Sequence, residues 1–158
     1  MKKKHLGVSL IFFIVLCLFV EIIGGYWTHE TISTWYPTLI KPSWTPPNWL
    51  FGPVWTTLYF MIAVSGWLIY RAEDTYERAI ALILYSFQLV LNLMWSYLFF
   101  SLKNPLMGFI DIVLLIILTN LTIIKFWKIS PLASILLIPY SLWLMYAASL
   151  NLGILLLN

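Results

Sequence analysis

The 158-residue chain is 62% hydrophobic and 9% charged, against roughly 25% charged in an ordinary soluble domain. A scattered net charge of +3 excludes a nucleic-acid-binding surface, and a single cysteine, Cys17, excludes an intrachain disulfide or a cysteine-built metal site. Apolar runs of about 18 residues or more recur, each long enough to cross a hydrocarbon core about 30 Å thick, so the lipid bilayer is the first partner to expect.

The N-terminal stretch MKKKHLGVSLIFFIVLCLFVEIIGG has the basic start and apolar run of a signal peptide. No small-x-small cleavage site follows, and it reads as a retained first helix over about 6–26. Four more apolar segments follow, over about 46–70, 79–102, 106–126 and 132–157. Open strands leave backbone groups unsatisfied in lipid, so all five are helices. The expected fold is an all-α integral membrane bundle of five transmembrane helices, one domain over 1–158. The charged turn Arg71–Arg78, the turn Lys103-Asn-Pro105 and the basic turn from Lys125 to Pro131 separate the later helices. The one long connection, 27–45, holds Trp35, Tyr36, Pro37, Pro42 and Trp44, a composition suited to an ordered cap over the bundle.

Lys and Arg alternate by side. Lys2, Lys3, Lys4, Arg71, Arg78, Lys125 and Lys128 share one side, and only Lys41 and Lys103 lie on the other. The positive-inside rule then puts the N-terminus in the cytoplasm.

The second helix opens with Thr45 as its cap and Pro46 in its first turn. Pro53 should bend it. Trp55, Tyr59, Ile62 and Gly66 share a face, with Trp49 near the interface. On the third helix Tyr85, Gln88, Asn92, Trp95 and Phe99 follow spacings of three and four. Amides are costly against lipid, so this stripe faces the bundle interior, as helix–helix glue or as a site. On the fifth helix Pro139, Tyr140, Trp143, Ala147, Leu150 and Asn151 line one side. Ser149 and Gly153 form a small-xxx-small pair suited to packing on a helix or a second subunit.

Two acids fall in apolar segments. Glu21 lies near the outer end of the first helix and reaches the interface, whereas Asp111 is expected as an interior hydrogen-bond partner. His5 reads as a solvated flank of the lysines and His29 as a loop residue. No acid pair, nucleophile–base pair or metal-ligand set stands at catalytic spacing, so neither a hydrolytic nor a metal site is expected. The interfacial belt accounts for Trp27, Trp67 and Trp127. It does not account for Trp55, Trp95 and Trp143, whose faces carry amides and phenols. Inward indoles with a few polar groups make a pocket for a flat, largely apolar ligand such as a tetrapyrrole, or a sterol, which needs less aromatic surface.

These residues also carry a resemblance. KPSWTPPNWLFGPVWTTLY at Lys41–Tyr59 closely resembles the signature of the TspO/MBR family of tryptophan-rich sensory and translocator proteins. The likeness continues in QLVLNLMW at Gln88–Trp95, MGFIDIVLL at Met107–Leu115, ISPLAS at Ile129–Ser134 and PYSLWLMYAASLN at Pro139–Asn151. It implies a bacterial-type five-helix protein of the cell membrane that often dimerises. It also implies binding of porphyrins, notably protoporphyrin IX, and of isoquinoline-carboxamide and benzodiazepine-type drugs, with no obligatory cofactor. By motif, Trp55, Asn92, Trp143 and Ala147 match the lining of the family's cavity, with Trp49, Tyr59, Trp95 and Leu150 as further contacts. Mitochondrial members carry a C-terminal sterol motif of an aromatic and then a basic residue. Here neither type follows Ala147, which counts against cholesterol and for the tetrapyrrole.

Three functions stay open on the sequence. The chain is a porphyrin-binding receptor or sensor, a promoter of light-dependent oxidative porphyrin breakdown using Trp55 and Trp143 as catalytic indoles, or a translocator of tetrapyrroles. No inverted repeat of the kind many transporters use supports the last.

Overall fold

A computed structural model describes the backbone from Lys4 and the side chains from Gly7 to Asn158. Lys2, Lys3 and the side chains of Lys4 and His5 lie outside the described residues. The chain forms α1 (Lys4–Ile32), α2 (Phe51–Tyr70), α3 (Tyr76–Ser96), α4 (Pro105–Trp127) and α5 (Pro131–Leu157). All five are long and apolar enough to cross a membrane. Their outer faces are apolar and exposed, as at Phe12, Phe19, Phe87, Ile117 and Leu142. This is the surface a bilayer covers.

The helix starts follow from local chemistry. Thr75 caps α3 by accepting from the Arg78 amide at 3.2 Å. Asn104 caps α4 by accepting from the Met107 amide at 3.0 Å. Ser130 caps α5 with a looser contact to the Ala133 amide at 3.4 Å. Pro105 and Pro131 open their helices where no ladder donor is lost.

The helices close into a ring in the order α1–α2–α5–α4–α3, and α3 returns to α1. One half of the ring is tightly packed. There Tyr85 is buried, donates to the Ile62 carbonyl at 3.1 Å and stacks on Phe126. Gly66 lets the ring of Tyr85 through, since a Cβ on it would lie 2.5 Å from Tyr85 Cζ. Ser65 donates to the Ala133 carbonyl at 2.7 Å, tying α2 to α5.

Two boundaries depart from the sequence expectation. α1 continues two turns past Tyr26 to Ile32. Thr28 and Thr31 donate back to the carbonyls of Gly24 and Trp27, and Thr34 beyond the helix end donates to that of Glu30, while no proline interrupts before Pro37. α2 starts at Phe51, after a 3₁₀ turn at Asn48–Leu50, rather than at Pro46. Thr45 is therefore not its cap, and its hydroxyl donates to the Pro42 carbonyl at 2.8 Å. Pro53 then falls in the first turn of α2, where amides have no helical partner, and the expected bend has no cause. α3 runs on into a π turn, Tyr97–Ser101, whose wide pitch buries both Phe99 and Phe100. Lys103 ends it at φ 52°, the left-handed conformation that reverses the chain.

Candidate functional site

The other half of the ring does not fill. A cavity of about 300 Å³ opens there beneath the α1–α2 connection. α1, α2, α3 with its π turn, α5 and the cap all contribute walls, and α4 contributes none among the described residues.

The wall from α2 carries Trp55 and Tyr59, whose rings lie 5.6 Å apart. Trp143 on α5 meets Trp55 edge-on at 6.5 Å and 90°, and Phe51 at 6.1 Å. On α3, Trp95 stacks on Phe99 at 5.3 Å. Its indole N–H donates to Asn151 Oδ1 at 3.1 Å, and Asn151 Nδ2 donates to the Pro105 carbonyl at 2.8 Å. Ala147 and Leu150 complete the α5 side. Short Ala147 leaves room one turn from the Trp143 indole.

The floor is a buried polar chain. The Tyr59 hydroxyl donates to Asn92 Oδ1. Asn92 Nδ2 donates to Tyr140 at 2.9 Å, and the Tyr140 hydroxyl donates to Gln88 Oε1 at 3.0 Å. The stripe read on the third helix is thus divided between helix–helix contacts and the cavity wall. Gln88 and Tyr85 face the packed core, while Asn92, Trp95 and Phe99 face the cavity. Around this cavity Gln88 Nε2 below and the Trp143 indole N–H at the wall are buried donors without a partner among the described residues.

The cap is tied to α5. Gly153 accepts Pro42, and a Cβ there would stand 2.6 Å from Pro42 Cγ. The Trp44 indole donates to Ser149 Oγ at 3.3 Å, and the Tyr146 hydroxyl donates to the Trp44 carbonyl at 2.8 Å. The Asn158 side chain closes a two-bond ring with the backbone N–H and C=O of Ile40, both at 2.9 Å. Within the chain the Ser149/Gly153 pair, expected to pack on a helix or a second subunit, receives the cap, because its small residues leave room for the Pro42 ring and the Trp44 indole. Lys41 braces the cap from within, donating to the carbonyls of Tyr36 and Leu39 with its ammonium 4.9 Å from the Tyr36 ring centre. Burial, with Tyr146 nearby, pushes the Tyr36 phenol above its usual range.

The sequence-derived site residues Trp55, Tyr59, Asn92, Trp95, Trp143, Ala147 and Leu150 all line this cavity. Trp49 does not. It is 70% exposed, because the 3₁₀ turn aligns residues i and i+3 and aims Asn48 and Phe51 inward. Pro139, expected on the inner side of α5, is exposed as well. Asp111 is buried as expected, yet its Oδ2 finds no partner among the described residues.

The sequence reading missed the α1 wall. Glu21, Gly24, Gly25, Thr28, His29 and Ile32 all line the cavity. Their spacings of three, four, seven, eight and eleven from Glu21 follow one helical face. That signal is visible only once the helix runs on to Ile32.

The chain is similar in sequence to known proteins over most of its length. A tryptophan-rich protein TspO of Chlorobaculum tepidum is 42% identical over 165 residues, covering 100% of this chain and 99% of its own. The translocator protein of Homo sapiens is 35% identical over 131 residues, 82% of this chain and 78% of its own. A tryptophan-rich sensory protein of Cereibacter sphaeroides is 31% identical over 124 residues, 78% and 77%. Residues 13–157 match the TspO/MBR family as a whole, and this multi-pass membrane chain is a member of it.

Proposed function

We propose that the chain is a membrane receptor or sensor that binds porphyrins, protoporphyrin IX among them, in this cavity. The observation that carries the reading is a set of four aromatic residues from three helices, Trp55, Tyr59, Trp95 and Trp143, around one void. Such walls take planar rings by stacking and edge contact. About 300 Å³ is at the small end for a ligand pocket. It suits an isoquinoline-carboxamide-sized molecule as it stands, while a tetrapyrrole needs its edge in the mouth or the cap lifted. The N-terminus is placed in the cytoplasm on the lysine and arginine bias. A homodimer, implied by the resemblance, belongs to the same proposal.

A second reading is favoured by the 6.5 Å Trp55–Trp143 contact and the unpartnered indole N–H of Trp143. Both indoles lie where a light-excited porphyrin could draw an electron from them, with dioxygen as the external oxidant. Carriage of tetrapyrroles across the membrane is the alternative.

Protoporphyrin IX titrated into the purified protein, followed by tryptophan quenching and then illumination, tests these readings. Saturable quenching weakened by Trp55→Phe or Trp143→Phe supports the receptor. A new absorbing product in light, absent from both variants, adds the photochemical role. Bleaching at the rate of the free pigment removes it. Quenching that never saturates removes the receptor reading itself, and many turnovers into sealed vesicles would favour the carrier.

A further inference from the structure

The aromatic walls bear mainly on the shape of a ligand, and the α1 wall bears on its charge. Among the described lining residues Glu21 alone carries a formal charge at neutral pH, and none is Lys or Arg. Its carboxylate is held in place, accepting from the Thr56 hydroxyl across the α1–α2 seam through one oxygen. No ion pair among the described residues reaches it. The positions one turn on, which would normally overlie it, are Gly24 and Gly25. A Cβ on Gly25 would meet nothing within 4 Å. Glu21 thus lines the cavity with open space over the Gly25 side, while the Gly24 side is closed by Ser96, whose Oγ would stand 3.1 Å from a Cβ there. Opposite stand Trp55 and Tyr59, whose ring faces also favour positive charge.

We propose that Glu21 is a charge-selecting residue. It accepts a ligand whose buried edge carries an ammonium, a protonated ring nitrogen or another N–H donor, and it disfavours one presenting a carboxylate there. The inference rests on the receptor reading above and sharpens its substrate class. A carboxylate with no ion-pair partner attracts a cation, and the more strongly the less water surrounds the pair. A porphyrin diacid then has one good orientation. Its carboxylates point to the mouth, where His29 and Asn48 line the cavity, about 12 Å along α1 from Glu21 at 1.5 Å per residue. Its pyrrole edge points down toward Glu21. Neutral or basic flat molecules escape that constraint and are the better ligands.

Three probes sharing one ring test this: protoporphyrin IX, its dimethyl ester, and its bis(aminoethyl)amide, which is cationic. Binding is read by tryptophan quenching in a nonionic detergent at neutral pH, for wild type, Glu21→Gln and Glu21→Asp. The wild type should prefer the amine to the diacid by about tenfold or more. Glu21→Gln keeps an acceptor for Thr56, and should bring that ratio near one while leaving the ester within about twofold. Glu21→Asp keeps the charge and should keep the order. An amine-to-diacid ratio that is the same in wild type and Glu21→Gln, or a parallel shift of all three probes, overturns the proposal and leaves the receptor reading standing. Failure of all three to bind wild type overturns both.

Discussion

At the scale of single residues, the buried polar chain at the cavity floor makes the sharpest demands. Tyr140 is fully buried, accepts from Asn92 and donates to Gln88. Removing its hydroxyl strands a buried donor on Asn92 and a buried acceptor on Gln88 at once. Orphaning a buried polar group costs about 1–3 kcal/mol, although hydrogen bonds between membrane helices average nearer ~0.6 kcal/mol. Tyr140→Phe should therefore lower stability by about 1–2 kcal/mol, a range those two estimates bracket. Thermal unfolding in detergent checks it, and an unchanged midpoint would mean that the chain contributes no net stability. Asp111 gives the opposite sign. Its Oδ2 is buried without a partner among the described residues, so Asp111→Asn, which adds donors and removes a potential charge, should leave stability equal or raise it by up to about 1 kcal/mol. A loss above that amount would show that the carboxylate is satisfied by something beyond the protein's own side chains. At this scale the sequence was a good guide. Spacings of three and four on α3 put Asn92 and Trp95 on the cavity side, because two amides cannot face lipid cheaply. What spacing could not reveal is which amide meets which phenol across the ring.

At the scale of elements, the helices themselves were legible and their ends only partly so. Hydropathy locates a span but says little about where a helix stops once it leaves the hydrocarbon. α1 has 29 residues and is therefore about 43 Å long at 1.5 Å per residue, well past a 30 Å core. Its last turns, GGYWTHETI, look like a loop by composition. Yet Gly24 is where α1 approaches α3, with Ser96 Oγ 3.1 Å from the place of a Cβ, and Trp27 packs on Tyr97 at 5.1 Å. Tertiary contacts override the weak helix propensity of glycine and threonine there. The same close-approach logic separates two glycines of α2. Gly66→Ala must push the buried Tyr85 ring aside and should cost about 1–3 kcal/mol or more. Gly52→Ala meets nothing within 4 Å and should be neutral or stabilising by up to about 1 kcal/mol. Unfolding of the two variants side by side checks the contrast. Equal effects would mean that the α2–α3 crossing relaxes to admit a methyl group.

At the scale of the whole molecule, the cavity exists because a ring of five helices is packed at one end and covered by a loop at the other. The α1–α2 connection lies at that other end, with Tyr36 and Asn48 on the cavity, and the tryptophans in and near its WTPPNW segment have divided roles. Trp55, just beyond the segment, is a wall, Trp44 ties the cap to α5, and Trp49 faces outward. Sequence reading found the cap from its aromatic and proline content. It could not see that the cap is anchored to the last turns of α5, since Ile40 and Asn158 are 118 residues apart. On the proposed receptor reading, those anchors bear on ligand exchange more than on the fold. The Asn158 ring and the Trp44–Ser149 contact both lie on exposed surface, while the helices below keep their own packing and caps. Each net hydrogen bond stabilises by about 0.5–1.5 kcal/mol, so losing the three bonds of the two anchors lowers the barrier to lifting the cap by about 1.5–4.5 kcal/mol, or roughly ten- to two-thousandfold in rate. The double variant Ser149→Ala, Asn158→Ala should release protoporphyrin IX faster by about that factor, with a much smaller change in thermal midpoint. Stopped-flow displacement monitored by recovery of tryptophan fluorescence measures the rate. If release is unchanged while the variant stays folded, the pigment leaves between helices and not beneath the cap. If the midpoint falls along with the acceleration, the cap is part of the cooperative fold and cannot act as a separately opening lid.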